Sequence, residues 1–473
     1  MLENIKISWE EKKPLWIVGI VILIIVAIVV LVMILNKPKP KVILAVPITL
    51  TWWQGGDISS EIMNQVVAKF KAIPGNSTVT INIVPKKIDS NYYNDLISTN
   101  AKDQTNLAPD IFTLKDDDLA AYQDYLAPID VIRDTDLVNY NQNFVPIARD
   151  YTKVKDKIFG VTSYVDNLQL YYNKNILNQS LIVKPAASWE ELSNQSQVGA
   201  ITRKALNNQG FLISTIALGT GGRGPEGLPN IENHSDIIPL LAFQQGALIS
   251  NRQTGQSNLG DEKNIIYNAL RFYLDFADPK SSNYTWNTSS PNDVEAFTQG
   301  RLAYIINYKS FGDRIKKTNS KLDFDVTRLP QLNPQSPKTF GKFYMDSLNK
   351  KLQREAENIN TKDGKYKYLK AQEFLQYITT VDSQEFIADS TNYPSAHRDV
   401  IQKQLNSNQE TRIFAEGAIN ATTYYKPDVA GSEKLWSDIF ERIQYSNKTL
   451  DESLNEGIAD YNRILTAQPK IRR

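Results

Sequence analysis

The sequence predicts an α/β fold on a mostly parallel sheet, preceded by one membrane-spanning helix. Two observations carry this reading. From residue 48 onward, strand-like and helix-like periodicities alternate, and residues 15–35 form an apolar run of membrane length. A third bounds the chemistry: the chain has no cysteine and only two histidines, His234 and His397.

The apolar run, Leu15 to Leu35, reads LWIVGIVILIIVAIVVLVMIL and holds no charge. At about 1.5 Å per helical residue it spans about 30 Å, the thickness of a bilayer's hydrocarbon core. Trp16 stands near one edge, where an indole prefers the interface. A cleaved signal would have a shorter apolar stretch and a small-x-small site, whereas Asn36-Lys37-Pro38 follows here. The expected division is a cytoplasmic tail at 1–14, a transmembrane helix at 15–36, a linker at 37–47 and a folded domain at 48–473. Lys6, Lys12 and Lys13 on one side balance Lys37, Lys39 and Lys41 on the other, so charge does not orient the span. The alternating Lys-Pro linker is expected to be extended and semi-rigid.

Beyond the linker, Ile48, Leu50 and Trp52 alternate with Thr49 and Thr51, the mark of a strand. Ile58, Ile62, Val66, Phe70 and Ile73 recur at helical spacing until Pro74-Gly75-Asn76 stops them. Val79, Ile81 and Ile83 predict a second strand, Tyr92 to Asn100 a polar helix, and Pro109-Asp110-Ile111-Phe112 a third strand ending in Asp116-Asp117-Asp118. Strands separated by helices form crossover units in a parallel sheet. Ligands bind beyond the carboxyl ends of such strands, which points to the turns after Trp52 and after Phe112.

Composition excludes several function classes. Lys+Arg 53 against Asp+Glu 52 gives no basic excess for a nucleic-acid backbone. Without cysteine there is no disulfide, thiolate metal site or lipid attached through an N-terminal cysteine. Two histidines leave little for zinc or a Ser-His-Asp triad, and no metal or cofactor is expected. Gly219, Gly221 and Gly224 make a formal G-x-G-x-x-G, but Pro225 follows and no helix opens on it, as a dinucleotide site would require.

Six segments resemble, in order, the extracellular solute-binding proteins of the maltose-binding type. They are ITLTWWQGG (48–56), APDIFTLKDDDLAAYQDYLAPID (108–130), KIFGVTSYVDNLQLYYNKNIL (157–177), SWEEL (188–192), AFTQGRLAYIINY (296–308) and TLDESLNEGIADYNRIL (449–465). The resemblance covers nearly everything after the linker. It implies a two-lobed, type II periplasmic-binding-protein-like domain with a hinge and a ligand cleft. Lobe one would comprise about 48–158 and 300–345, and lobe two about 159–299 and 346–473. It also implies an extracytoplasmic domain on a single-pass anchor in the cell membrane. That domain would deliver a small solute, a sugar or oligosaccharide, to ABC permease subunits. A sensor or adhesion module of the same fold ranks second, and a membrane-anchored glycoside hydrolase, which needs only two carboxylates, third.

Carboxylates and amides that bond hydroxyl pairs, with aromatic faces that stack on C–H patches, would hold such a solute. By resemblance, Asp117 falls at the family's carboxylate after the third strand, and Asp166, with Asn167 beside it, at the lobe crossing. Trp52 and Trp53 are neighbours in a strand, so at most one faces the cleft. Tyr308 and Tyr344 lie on later crossings, Tyr424 and Tyr425 where a second-lobe aromatic is supplied, and Tyr284 and Trp286 in the polar loop SSNYTWNTSS. The family's tryptophan after the strand matching Ala303–Asn307 is absent, and Lys309-Ser310 stands there.

Overall fold

The computed structural model describes residues 47–101, 107–130, 139–193, 195–205, 210–222, 224, 227–252, 254–358 and 362–467, together with Ile20 and Leu23. The expected transmembrane helix at 15–36 therefore lies outside the described residues, apart from those two. Among the described residues, no helix is long and apolar enough to cross a membrane.

The alternation read from residues 48 to 83 forms two paired strands, β1 (Ile48–Gln54) and β2 (Val79–Pro85), parallel in the register Ile48↔Val79. The helix between them, Ser60–Ala72, buries Met63, Val66, Val67 and Phe70 on one stripe. It stops before Gly75, whose φ of +92° suits a residue without a side chain. β3 (Ile111–Lys115) lies parallel to β1 on its other side. The other strands that matter here are β4 (Leu126–Ala127), β5 (Asp166–Asn167), β6 (Gln169–Asn173), β7 (Arg203–Lys204), β8 (Phe211–Ile216), β9 (Leu302–Asn307), β10 (Phe324–Thr327), β11 (Thr339–Lys342), β12 (Tyr344–Asn349) and β13 (Ala421–Thr422).

These strands make two five-stranded sheets, β2-β1-β3-β12-β4 and β10-β6-β9-β8-β7, and a small one, β13-β11-β5. Each large sheet carries its own core. The first gathers residues between Ile48 and Val165 and between Phe343 and Ala421. The second gathers those from Leu168 to Phe340, with Ile413, Phe414 and Tyr424 to Tyr461. The small sheet lies where the chain passes between cores: β5 joins Val165 to Leu168, and β11 leads through Phe343 into β12.

This corrects the expected lobe boundaries. β9 pairs antiparallel with β6, Tyr304 opposite Tyr172, so 302–340 belongs to the second lobe. β12 pairs with β3, and Ala371, Phe374, Leu375 and Ile378 cover the first core, so 343–401 belongs to the first. Phe159, Val161, Tyr164 and Val165 keep the first lobe running past 158. Strand periodicity identifies a strand but not the sheet it joins, which depends on contacts distant in sequence.

Candidate ligand-binding site at the seam of the two cores

The carboxyl ends of β1 and β3 deliver carboxylates to the seam. β1 runs into Gly55-Gly56-Asp57, and β3 into a single 3₁₀ turn, Asp116–Asp118. Gly56 has φ +94°, and a Cβ there would stand 2.9 Å from the Tyr344 ring, so only glycine lets the turn pass beneath that tyrosine. Asp57 accepts from the Tyr164 hydroxyl at 3.0 Å. Burial raises its carboxyl above the ordinary range, against the Tyr164 bond and the charge of Lys342. A small pocket beside it is lined by Gln54, Gly55, Thr113, Tyr164, Tyr344 and Asp346.

A second group joins the cores. The Lys426 ammonium, buried with its residue 3% exposed, lies 3.2 Å from Asp117 Oδ2 of the first lobe and 3.9 Å from Asp236 Oδ1 of the second. Burial pulls Lys426 down, but Asp117 and the other nearby acids outweigh it and hold the ammonium well above its usual value. Asp236 Oδ2 accepts from the Tyr308 hydroxyl at 2.8 Å and lies 3.8 Å from Lys342 Nζ. Lys342 Nζ sits 3.5 Å from the centre of the Tyr308 ring. Lys309 Nζ, on the second lobe, stands 4.6 Å over the Tyr393 ring of the first. Burial, then Asp117, push Asp116 well above the usual carboxylate range.

The structure thus gathers Asp117, Tyr308, Tyr344 and Tyr425 among the expected residues at or beside the seam. Asp166 is also there, but its oxygens face backbone. Oδ1 accepts from the N–H groups of Asn167 and Lys309 at 2.8 Å each, and Oδ2 from Ser310 at 3.3 Å. It thereby fastens the start of helix Lys309–Thr318 to β5. Burial, then Asp57, raise its carboxyl to about 6, while the bonds from Lys309 and Ser310 oppose them.

Six of the expected site residues are engaged in packing or in ties between elements instead. Asn167 is fully buried, donates to Phe414 O at 2.9 Å and accepts from Gln169 at 2.7 Å, which makes it a tie between elements. Trp52 is fully buried, edge-on to Phe374 at 5.5 Å, with Nε1 donating to Asp346 at 3.1 Å. Trp53 packs on the opposite side, against Tyr92 and beneath Lys86. Trp286 is no loop-exposed aromatic. Its backbone N–H and that of Thr285 both donate to Phe276 O, and the Thr285 hydroxyl donates to Ile216 O, pinning the residue in the second core. Tyr284 packs edge-on against Phe211 beside the outer strand pair β7–β8. Tyr424 is buried in the second core, its hydroxyl accepting from Trp436 Nε1 at 3.0 Å.

Sequence reasoning missed Asp57, Tyr151, Tyr164, Asp236, Arg252, Lys309, Lys342, Tyr393 and Lys426 as members of the seam. Asp57 had a usable signal, since it stands in the turn after the first strand, and Lys426 directly follows Tyr424-Tyr425. The others come from elements whose meeting is tertiary.

A sequence profile of bacterial extracellular solute-binding proteins matches residues 65–415. No curated protein sequence matches the chain. Among solved structures, the fold is similar to that of a cyclo/maltodextrin-binding protein complexed with maltotetraose, at 15% identity and TM-score 0.66, covering 92% of this chain and 100% of that one. It is also similar to the maltose-binding periplasmic protein of Listeria monocytogenes in complex with maltose, at 18% identity and TM-score 0.64, covering 89% and 98%. An ABC transporter solute-binding protein of Thermotoga lettingae bound with α-D-tagatose gives 18% identity and TM-score 0.61, covering 88% and 100%. With the profile spanning well over half its length, the chain belongs to the bacterial extracellular solute-binding proteins.

Proposed function

We propose that the folded domain captures a small carbohydrate at the seam between its lobes, without chemical change, and delivers it to an ABC importer. The observation that carries this reading is the pairing, in one seam, of tyrosine faces with carboxylates. Tyr308, Tyr344 and Tyr393 offer rings, and Asp57 and Asp117 offer acceptors. Rings stack on a sugar's C–H face, and carboxylates accept from its hydroxyls at about 1.5–3 kcal/mol per charge-assisted bond. Lysine ammoniums already lie over Tyr308 and Tyr393, so an entering sugar would exchange a cation–π contact for stacking. The bound sugars named for the similar structures agree with this choice of solute. Closure would turn on the three crossings at β5, at β11–β12 and beside β13.

The expected helix at 15–36 would hold the domain on the outer face of the membrane, in place of a lipid on an N-terminal cysteine. Thermal-shift measurements on the full chain in detergent, against saccharides, amino acids and peptides, test the solute class. A shift with saccharides alone is expected; a shift with amino acids or peptides alone refutes it.

A further inference from the structure

Arg252 is the one seam cation described above that has no counter-ion. It follows the short strand Ser250–Asn251 of the second lobe, and its guanidinium carbon lies 5.0 Å from the centre of the Tyr151 ring of the first. Among the described residues, no carboxylate, carbonyl or hydroxyl comes within hydrogen-bond or ion-pair distance of it. Of the nearby acids, Asp117 lies on Lys426, and Asp116 accepts from the Phe343 N–H at 3.3 Å while its other oxygen is buried without a hydrogen-bond partner. Burial also pulls the guanidinium below its ordinary value, with Tyr151, Tyr425, Asp116 and Asp117 acting against it. A planar fork of donors, braced on an aromatic ring and left without an acceptor, matches a carboxylate held through two parallel bonds.

Resting on the carbohydrate reading, we propose that the solute is an acidic saccharide, of the uronate class, whose carboxylate is bound by the Arg252 fork over Tyr151. Lys426 and Lys342, by contrast, already lie on Asp236, at 3.9 Å and 3.8 Å. Tyr151 is held in place by its hydroxyl, which donates to Thr423 O at 2.8 Å.

The test is calorimetry on the full chain in detergent, with uronate di- and trisaccharides beside neutral saccharides of equal length. Uronates are expected to bind at least about tenfold more tightly than their neutral counterparts. Arg252→Met should bring them down to the neutral level, and Arg252→Lys, which keeps the charge but loses the fork, should fall between. The circular dichroism of both variants should match that of the parent chain. Neutral saccharides binding as tightly as uronates, or uronate affinity unchanged in Arg252→Met, overturns the acidic class and leaves the carbohydrate reading standing. Binding of neither kind to folded protein overturns both.

Discussion

Replacing Asp166 by alanine separates a positioning role from a ligand-binding one. The carboxylate accepts from the N–H groups of Asn167, Lys309 and Ser310, and its removal strands all three donors, two of them at the start of helix Lys309–Thr318. Each stranded donor costs about 1–3 kcal/mol. Against this stands the cost of keeping the ion buried, since burial lifts the carboxyl from 3.8 to about 6. At about 1.36 kcal/mol per pKa unit, ionised Asp166 costs the folded state about 3 kcal/mol. The folded form holds the proton more tightly than the unfolded chain. The favourable term is therefore present below about pH 4 and lost as pH rises through 6. Asp166→Ala should thus destabilise the domain by roughly 1–2 kcal/mol at pH 7 and by roughly 3–5 kcal/mol near pH 4. Urea unfolding across that range measures it, and calorimetry at pH 7 should find solute affinity within about threefold of the parent. Unchanged stability at both pH values, together with a loss of affinity of about 30-fold or more, would refute the positioning role and show that the carboxylate meets the solute.

Two further substitutions probe the cores and their junction. Trp52→Ala removes a fully buried indole set against Phe374 and should cost about 3–5 kcal/mol in urea unfolding; a loss below about 1 kcal/mol would contradict its place in the first core. Lys426→Met leaves Asp117 and Asp236 without the ammonium between them and should cost about 3 kcal/mol in the same assay. Asp117→Asn in that background should restore part of the loss, and simple additivity of the two changes would show that the pair is uncoupled.

The first lobe is readable as far as β3 because each element there has a period of its own. Ile48 to Trp52 alternates, while Met63 to Phe70 follows the helical stripe. The lobe assignment of β9 is not readable, because it rests on Tyr304 facing Tyr172 across 132 positions of chain, set by packing rather than local pattern. Trp286 misleads for a similar reason. A polar stretch such as SSNYTWNTSS reads as a surface loop until Thr285 and Phe276 fold it inward. Among the site residues, Asp117 stands at a strand's carboxyl end, a location the sequence marks. Lys342 is a single lysine after Gly341, and only the approach of Asp236 and Tyr308 gives it a role. Asp166 stands at the lobe crossing where the resemblance places a carboxylate, yet its oxygens face backbone N–H groups that only the tertiary structure supplies.

Calorimetric titration of the full chain with an oligosaccharide panel, followed by chromatography of the recovered sugar, tests the central claim most directly. The account predicts saturable binding of one saccharide per chain, with every molecule recovered unchanged after prolonged incubation. Steady release of shorter products, or no heat with any saccharide while a non-sugar solute binds, would contradict it.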